Sequence, residues 1–487
     1  MPQEWEIYIN RFRGFSPRYY SETYPSYGNK DQAGAMQNMS LLNPNVLGPG
    51  PGMAELTNGD QGGVVTTLIR GILRYAVASD TTYAFGGALL HKLSNTAVAS
   101  GGSPSWPRTV NKAAVTGETG EDVALYQGKL YYSYNHSGAA GDIGQYDLSS
   151  TFDDDYYSAA ATSGAALQDA PHQLLVGGDD ILYAANGPYI ASLNVATAND
   201  QALNFHTDSE ISSISWNNNR IISAVNRPNL SGTNFNQSAI YKWNGYSSSW
   251  EGDPIEINGR IGALFTKNGI TYIWYELFIG GSSRLVFGYL TGGQVVPLRT
   301  FSGSLPLYYQ VGEIGDYLVW GSSSRIYAYG PLTDEVAVDM FQLMSPQYTN
   351  TLGGIGAPFG TLLVASNDGS SNYSLEKESG YETDANYKTI LYETSIGWRQ
   401  SEVKYLELQF DKLATGAEAD IALVNNAGTT VWSDTVSFAS DGAVTKKVFR
   451  PNATCENFRL EISHSDGSAT NPVNIRKAVI KGINMSQ

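Results

Sequence analysis

Seven times between Tyr83 and Leu363 the chain repeats a turn, an apolar strand, a short polar gap and a second strand ending near a small or turn-forming residue. Aligned on the strand core, the anchors are Tyr83, Tyr131, Tyr183, Ile222, Tyr272, Val319 and Leu363, spaced 48, 52, 39, 50, 47 and 44 residues apart. Partner strands recur as ALLHKL (88–93), DIGQYDL (142–148), PYIASLNV (188–195), SAIYKWNG (238–245), RLVFGYLTGG (284–293), SRIYAYG (324–330) and NYSLEKE (372–378). Gly, Asn, Asp or Ser joins most pairs, residues that tolerate positive φ or cap their own turns, so each pair reads as a hairpin. A period in the forties built of strands fits a four-stranded propeller blade, whereas a solenoid coil takes only about 20–30 residues. The expectation is an all-β chain whose residues 64–398 close into a seven-bladed β-propeller, or a six-bladed one if 361–398 packs with the C-terminal unit. The repeat has no WD dipeptide and no kelch glycine pair, so no named propeller family follows from it.

Composition agrees. The 487 residues include 52 Gly, 32 Tyr and 16 Phe, only 16% are charged, and no long stretch shows 3.6-residue apolar periodicity. No run of 18 apolar residues exists, which excludes a membrane-spanning helix, and the N-terminal MPQEWEIYINRFRG lacks the apolar core of a secretory signal. The one cysteine, Cys455, excludes an intrachain disulfide and reads as a small buried hydrophobe.

Charge marks a boundary. Residues 399–487 carry ten Lys/Arg and ten Asp/Glu, so the whole formal charge of −16 lies in residues 1–398. Beyond the boundary, EVKYLELQFDKL (402–413), TTVWSDTVSF (429–438), KKVFR (446–450), NFRLEISH (457–464) and NPVNIRKAVIKGINM (471–485) read as a C-terminal β-sandwich over 399–487. Residues 1–63 form an extended N-terminal arm rich in Gly, Pro, Asn and Tyr, expected to run over the surface of its own propeller or of a neighbouring subunit, without an amphipathic element to bury its own aromatic residues. Phe12, Phe15, Tyr19 and Tyr20 are therefore candidates for contact with a neighbouring subunit, and removing residues 1–30 is expected to leave a folded propeller that assembles poorly.

The arm also carries a resemblance. Its order is Arg11-Phe12-Arg13-Gly14-Phe15, a polar stretch, Met36-Gln37-Asn38-Met39, then Leu47-Gly48-Pro49-Gly50-Pro51-Gly52-Met53 and Leu56-Thr57. This order resembles the opening of tailed-bacteriophage virion proteins, of which tail nozzle and tail stabilisation proteins are examples. In those, a glycine-pair start and an Asn segment precede an Arg-Pro-Gly turn into a propeller. Here Gly50 replaces the arginine before Pro-Gly, and Arg13-Gly14 replaces the first glycine pair. The resemblance covers about 50 residues by motif. It implies a virion location and a structural role.

Motifs for chemistry are absent from the sequence. The five histidines (His91, His136, His172, His206, His464) show no metal-ligand spacing, and no GxSxG elbow, phosphate-binding loop or dinucleotide-binding glycine pattern occurs. The acidic run Phe152-Asp153-Asp154-Asp155-Tyr156-Tyr157 lacks the glycine and spacing of a calcium loop and reads as a solvated loop. Asp/Glu pairs from different blades could form a glycosidase site that linear sequence does not reveal. No catalytic, cofactor or metal residue is assigned, and the chain is expected not to be an enzyme. Trp243, Tyr246 and Trp250 in YKWNGYSSSWEG are the best aromatic cluster for a glycan or protein contact.

The resulting expectation is a structural virion component, in the tail or the head-to-tail connection, assembled as a homo-oligomeric ring with other virion proteins. The alternative is a receptor- or glycan-binding propeller at the virion surface. With its cations unclustered, the acidic chain is expected not to grip duplex DNA tightly, although DNA could pass through a duct lined by like charge.

Overall fold

The computed structural model describes residues 3–15, 23–24, 30–43, 46–56, 68–75, 81–86, 89–94, 118–136, 139–160, 167–195, 197–228, 235–279, 282–331, 338–346, 351–367, 369, 373–393, 400–464 and 471–485. The fold is a β-propeller joined to a β-sandwich. Seven antiparallel sheets follow one another between Ile69 and Tyr381. The first is Ile69–Tyr75, Thr81–Gly86 and Leu89–Ser94; the second runs from Glu118–Tyr126 to Phe152–Asp153 and the third from Leu174–Val176 to Thr197–Asn204. The fourth spans Glu210–Asn217 to Glu251–Ile257, the fifth Gly259–Lys267 to Gln294–Phe301 and the sixth Val311–Ile314 to Val338–Met344.

The seventh sheet is assembled from both ends of the propeller. Thr351–Gly356, Leu363–Asn367 and Tyr373–Tyr381 take Pro51–Glu55 of the arm as their fourth strand, with Glu55 opposite Glu376 and Ala54 opposite Lys377. The first strands of the sheets touch in sequence, and that of the seventh meets that of the first, which closes the ring.

Every sequence anchor falls on the second strand of its sheet, and the predicted partner strands fall on the third. Tyr83, Tyr131, Tyr183, Ile222, Val319 and Leu363 are buried and Tyr272 is half-buried, so the hairpins recognised in the sequence supply the packing between neighbouring sheets.

The sandwich draws on more of the chain than 399–487. One sheet orders Gln3–Ile9, Ile475–Asn484, Ser401–Phe410 and Lys446–Phe449, and Ala453–Cys455 also pairs with Ser401–Phe410. The other contains Leu391–Glu393, Asn457–His464, Ala385–Thr389 and Ala33–Gln37, with Glu418–Asn425 and Thr430–Ser437 beyond. In Asn457–His464 alternate residues are buried, as one strand facing a second sheet requires. Cys455 is buried here and burial pushes its thiol up to about 11, fitting the hydrophobic role read from the sequence.

The arm is stitched into its own chain, which corrects the expectation that it packs on a neighbour. Gln3–Ile9 is an edge strand of the sandwich, Ile7 and Ile9 are buried, and Phe12, 2% exposed, meets the edge of the Tyr387 ring at 5.4 Å. Arg13 and Phe15 reach across to the sixth propeller sheet through Asp339 Oδ2 (2.8 Å) and the Met340 carbonyl (2.9 Å). The chain returns to the sandwich at Ala33–Gln37 and at the paired Leu47 and Ile475, then enters the seventh sheet at Pro51. The physical reason is the one noted in the sequence: the aromatic residues of the arm need an apolar surface, and the chain's own sandwich provides it.

Phe12→Ala should therefore destabilise the isolated monomer by about 3 kcal/mol, the ordinary cost of emptying a buried aromatic site. Urea denaturation at concentrations where no oligomer forms would measure it; an unchanged midpoint would show that the arm contributes nothing to the monomer fold.

Candidate functional site

Two regions gather polar and aromatic side chains in ways the sheets alone do not require. The first lies at the propeller axis. The first strand of several sheets carries a register shift that leaves a residue without a cross-strand partner: Arg70, Glu121, Ser212, Gly262 and the Gly353-Gly354 pair. A bulge of this kind bends the strand and re-aims the extra residue. Here it brings neighbouring first strands together: a Cβ on Gly354 would overlap the Arg70 carbonyl oxygen, which is why glycine stands there.

Arg70 of the first sheet forms an ion pair with Glu121 of the second, and the second Glu121 oxygen accepts a hydrogen bond from the Tyr308 hydroxyl at 3.0 Å. Tyr308 lies in the turn that precedes the sixth sheet, so the contact crosses the axis rather than following the ring. Tyr309 places its ring 5.5 Å from the Arg70 guanidinium carbon. Burial raises the Glu121 carboxyl above its ordinary range against the pull of Arg70 and raises Tyr308 well above the usual phenol.

The neighbouring carboxylate faces another junction. Asp122 accepts from its neighbour's amide, Val123 N, at 2.8 Å and from Leu174 N of the third sheet at 2.9 Å. Desolvation outweighs those two bonds and lifts its carboxyl to about 7. Both acidic groups are thus engaged in holding sheets together, one by an ion pair and one by backbone amides.

The second region is at the rim, between the third and fourth sheets. Phe205, which follows the third sheet, stacks on Trp250 at 5.8 Å between centroids, and Tyr241 meets Trp250 at 4.8 Å and Phe205 at 4.9 Å. Trp250 remains 37% exposed. In the same loop Asn244 accepts the amides of Tyr246 and Ser247, both at 3.0 Å, and this turn holds Tyr246 out at 76% exposure. Arg227 also reaches the Tyr241 hydroxyl, so the aromatic group runs on into a polar cleft.

Of the residues singled out from the sequence, Tyr246 and Trp250 are thus placed outward on one loop. Trp243 is a correction: it is 2% exposed, packs edge-on against Tyr183 and donates Nε1 to the Ser247 carbonyl at 2.7 Å, so it is core and supports the loop from beneath. Phe12 is likewise a correction, being buried in the sandwich, and Phe15 is half-buried between the sandwich and the fifth and sixth propeller sheets. Tyr19 and Tyr20 lie outside the described residues. His172 is fully buried, with its ring nitrogens 2.8 Å and 3.1 Å from the carbonyls of Ala185 and Gln168. The acidic run is tied down by phenols, Tyr132 to Asp154 and Tyr134 to Asp155 at 3.0 Å. No group of three or more His, Cys, Asp and Glu residues able to hold a metal occurs among the described residues.

Sequence reasoning missed the axial residues, although a signal exists. Ile69-Arg70-Gly71-Ile72, Gly120-Glu121-Asp122-Val123, Ile211-Ser212-Ser213-Ile214, Ile261-Gly262-Ala263-Leu264 and Leu352-Gly353-Gly354-Ile355 share an ending in an aliphatic residue after a polar or small pair, each preceding a recognised hairpin.

No family model and no curated protein matches the chain in sequence. Solved structures similar to it include an exo-β-1,3-galactanase from Phanerochaete chrysosporium with β-1,3-galactotriose, at 12% identity and a TM-score of 0.34, covering 89% of this chain and 100% of that one. A glycoside hydrolase family 43 arabinoxylan arabinofuranohydrolase from Bacillus subtilis matches at 10% and 0.26, over 85% and 95% of the two chains. Extracellular domains 1–2 of Drosophila semaphorin 1b match at 8% and 0.38, over 66% and 87%. Glycoside hydrolases among these neighbours correct the expectation that the chain is not an enzyme, which is withdrawn. At these values no residue role is carried over from any of them.

Two outcomes follow for the axis. Arg70→Ala leaves Glu121 buried and uncompensated and should cost about 3 kcal/mol, whereas the pair Arg70→Met with Glu121→Leu should cost clearly less; equal losses in urea denaturation would refute the ion-pair account. The second concerns pH. The folded-state pKa of Asp122 lies above its ordinary value of 3.8, so between those limits the folded protein retains a proton that the unfolded chain has released. Its stabilising contribution is full below about pH 4 and is lost as pH rises through about 7. Unfolding free energy measured from pH 5 to 8 should fall less steeply for Asp122→Asn than for the wild type, and parallel curves would rule Asp122 out as the source.

Proposed function

We propose that the chain is a structural component of a tailed-bacteriophage particle, built into the tail or the head-to-tail connection as a homo-oligomeric ring that contacts other virion proteins. The observation that carries this reading is the use made of the motif on which the resemblance rests. Asn38 of Met36-Gln37-Asn38-Met39 has a φ of 53°, is 4% exposed, donates Nδ2 to the Asp384 carbonyl at 2.9 Å and accepts through Oδ1 from Gln342 (3.2 Å) and Ser345 (3.0 Å). Its carbonyl accepts from Gly50 N at 2.7 Å, and a Cβ on Gly50 would overlap the Leu343 carbonyl oxygen. Arg13 of the opening Arg-Phe-Arg-Gly-Phe shares the fully buried Asp339 with Arg299. The residues that resemble phage virion proteins are therefore the ones that seam the propeller to the sandwich, and a seam of this kind supports a common architecture.

A second reading is favoured by Tyr246 and Trp250, which the structure leaves exposed on one loop at the propeller rim: a receptor- or glycan-binding propeller at the virion surface. The two readings differ in assembly. Negative-stain images of the purified protein, together with its stoichiometry in particles, should show a closed ring under the first reading; a monomer absent from particles would defeat it. The chain should not shift duplex DNA in a gel at physiological salt, because a net charge of −16 repels a polyanion. A tight shift would contradict this.

A further inference from the structure

We propose that the cleft on the outer strands of the fourth sheet binds a neutral oligosaccharide. This rests on the glycan-binding reading above and goes beyond it in naming the ligand class and residues outside the exposed loop. The cleft holds about 290 Å³ and its polar wall is formed by Arg227, Gln237, Ser238, Glu256 and Asn258. Arg227 is fixed from behind: its guanidinium bonds the Tyr241 hydroxyl and lies 5.9 Å from the centre of that ring. Of the five N–H donors of an arginine the Tyr241 contact uses one, and Arg227 also lines the cleft.

The other wall groups complement that donor. Gln237 and Glu256 are exposed, and Asn258 spends one amide hydrogen on the Phe278 carbonyl at 3.3 Å. Ser238 is already committed to Asn226 (2.8 Å) and the Gly259 carbonyl (2.5 Å), so it shapes the floor rather than greeting a ligand. A donor on Arg227, amides that both donate and accept, and a carboxylate that only accepts suit hydroxyl groups, each of which donates and accepts. Charge narrows the class further. Glu256 and the −16 of the chain oppose an anion, while Arg227 opposes a cation, so a neutral polyhydroxylated ligand remains. Beyond the cleft lining, the buried Tyr241 ring connects Arg227 to Phe205 and the partly exposed Trp250, whose face offers apolar surface to a pyranose ring.

The test is calorimetric titration of the full-length protein with neutral gluco-, galacto- and manno-tetrasaccharides and with acidic tetragalacturonate. At least one neutral sugar should bind and tetragalacturonate should not. Gln237→Ala and Glu256→Ala alter exposed side chains, so their fold should be retained, and each should weaken binding about tenfold. Glycan binding that is lost in Tyr246→Ala but untouched in both cleft variants would overturn the cleft while leaving the glycan reading intact. Preference for tetragalacturonate would overturn the neutral class alone. Binding of none of the sugars would overturn both the cleft and the reading on which it rests.

Discussion

The pairing of Pro51–Glu55 with Tyr373–Tyr381 is the constraint on which the rest of the molecule depends. A ring of sheets has no covalent closure, and the last sheet would otherwise end on an unpaired edge, the position at which sheet proteins are most vulnerable to opening or to pairing with another chain. Taking the outer strand from the other end of the propeller sequence converts this edge into a hydrogen-bonded ladder, continued by Leu56 N to the Leu375 carbonyl at 2.9 Å. The closure fixes the seventh first strand against the first, which in turn sets Gly353 and Gly354 against Ile69 and Arg70 and aims the Arg70 side chain at Glu121. The polar contact at the axis is a consequence of closure at the rim.

The closing strand is itself held by what precedes it. Between Gln3 and Leu56 the chain crosses from sandwich to propeller and back, and each crossing is marked by a polar group that local structure alone could not satisfy. Asp339 is fully buried between Arg13 and Arg299 at 2.8 Å and 3.1 Å, so the arm, the fifth sheet and the sixth sheet share one anion. Buried charges of this kind add little net stability but specify geometry, because each charge must find its partner. The apolar core is correspondingly continuous, with Ile7, Phe12, Met36 and Met39 of the arm, Phe341 and Leu343 of the propeller and Ile421, Leu460 and Ile480 of the sandwich in one cluster.

Much of this was legible. The hairpins were read correctly from Tyr83 through Leu363 because strand patterning and turn residues are local: alternation over a few residues and a Gly, Asn or Asp at the turn suffice. Asn218 and Asn219, both at positive φ, sit between strands of the fourth sheet as that chemistry requires. The arm was recognised as needing a surface, on its own propeller or on a neighbouring subunit, but not as finding it in the sandwich, since nothing near Phe12 in sequence indicates Tyr387. The candidate sites were less legible. Trp243, Tyr246 and Trp250 look equivalent in a sequence, yet one is core and two face outward, because Trp243 lies on a strand that the third sheet covers while the others belong to the loop beyond it.

By itself, then, the sequence determined an all-β chain with a repeated hairpin, a change of unit near its last hundred residues, and an aromatic arm requiring a partner. These depend on period-two burial, turn chemistry and composition, all of which act over short distances. Only the tertiary structure decided that the arm supplies strands to both units, that Arg70, Glu121 and Tyr308 meet across the axis, and that Arg227 and Trp250 share one rim. Each of those contacts joins segments brought together by ring closure or by packing between sheets, and a contact fixed by how sheets meet leaves no periodic trace in the chain that makes it.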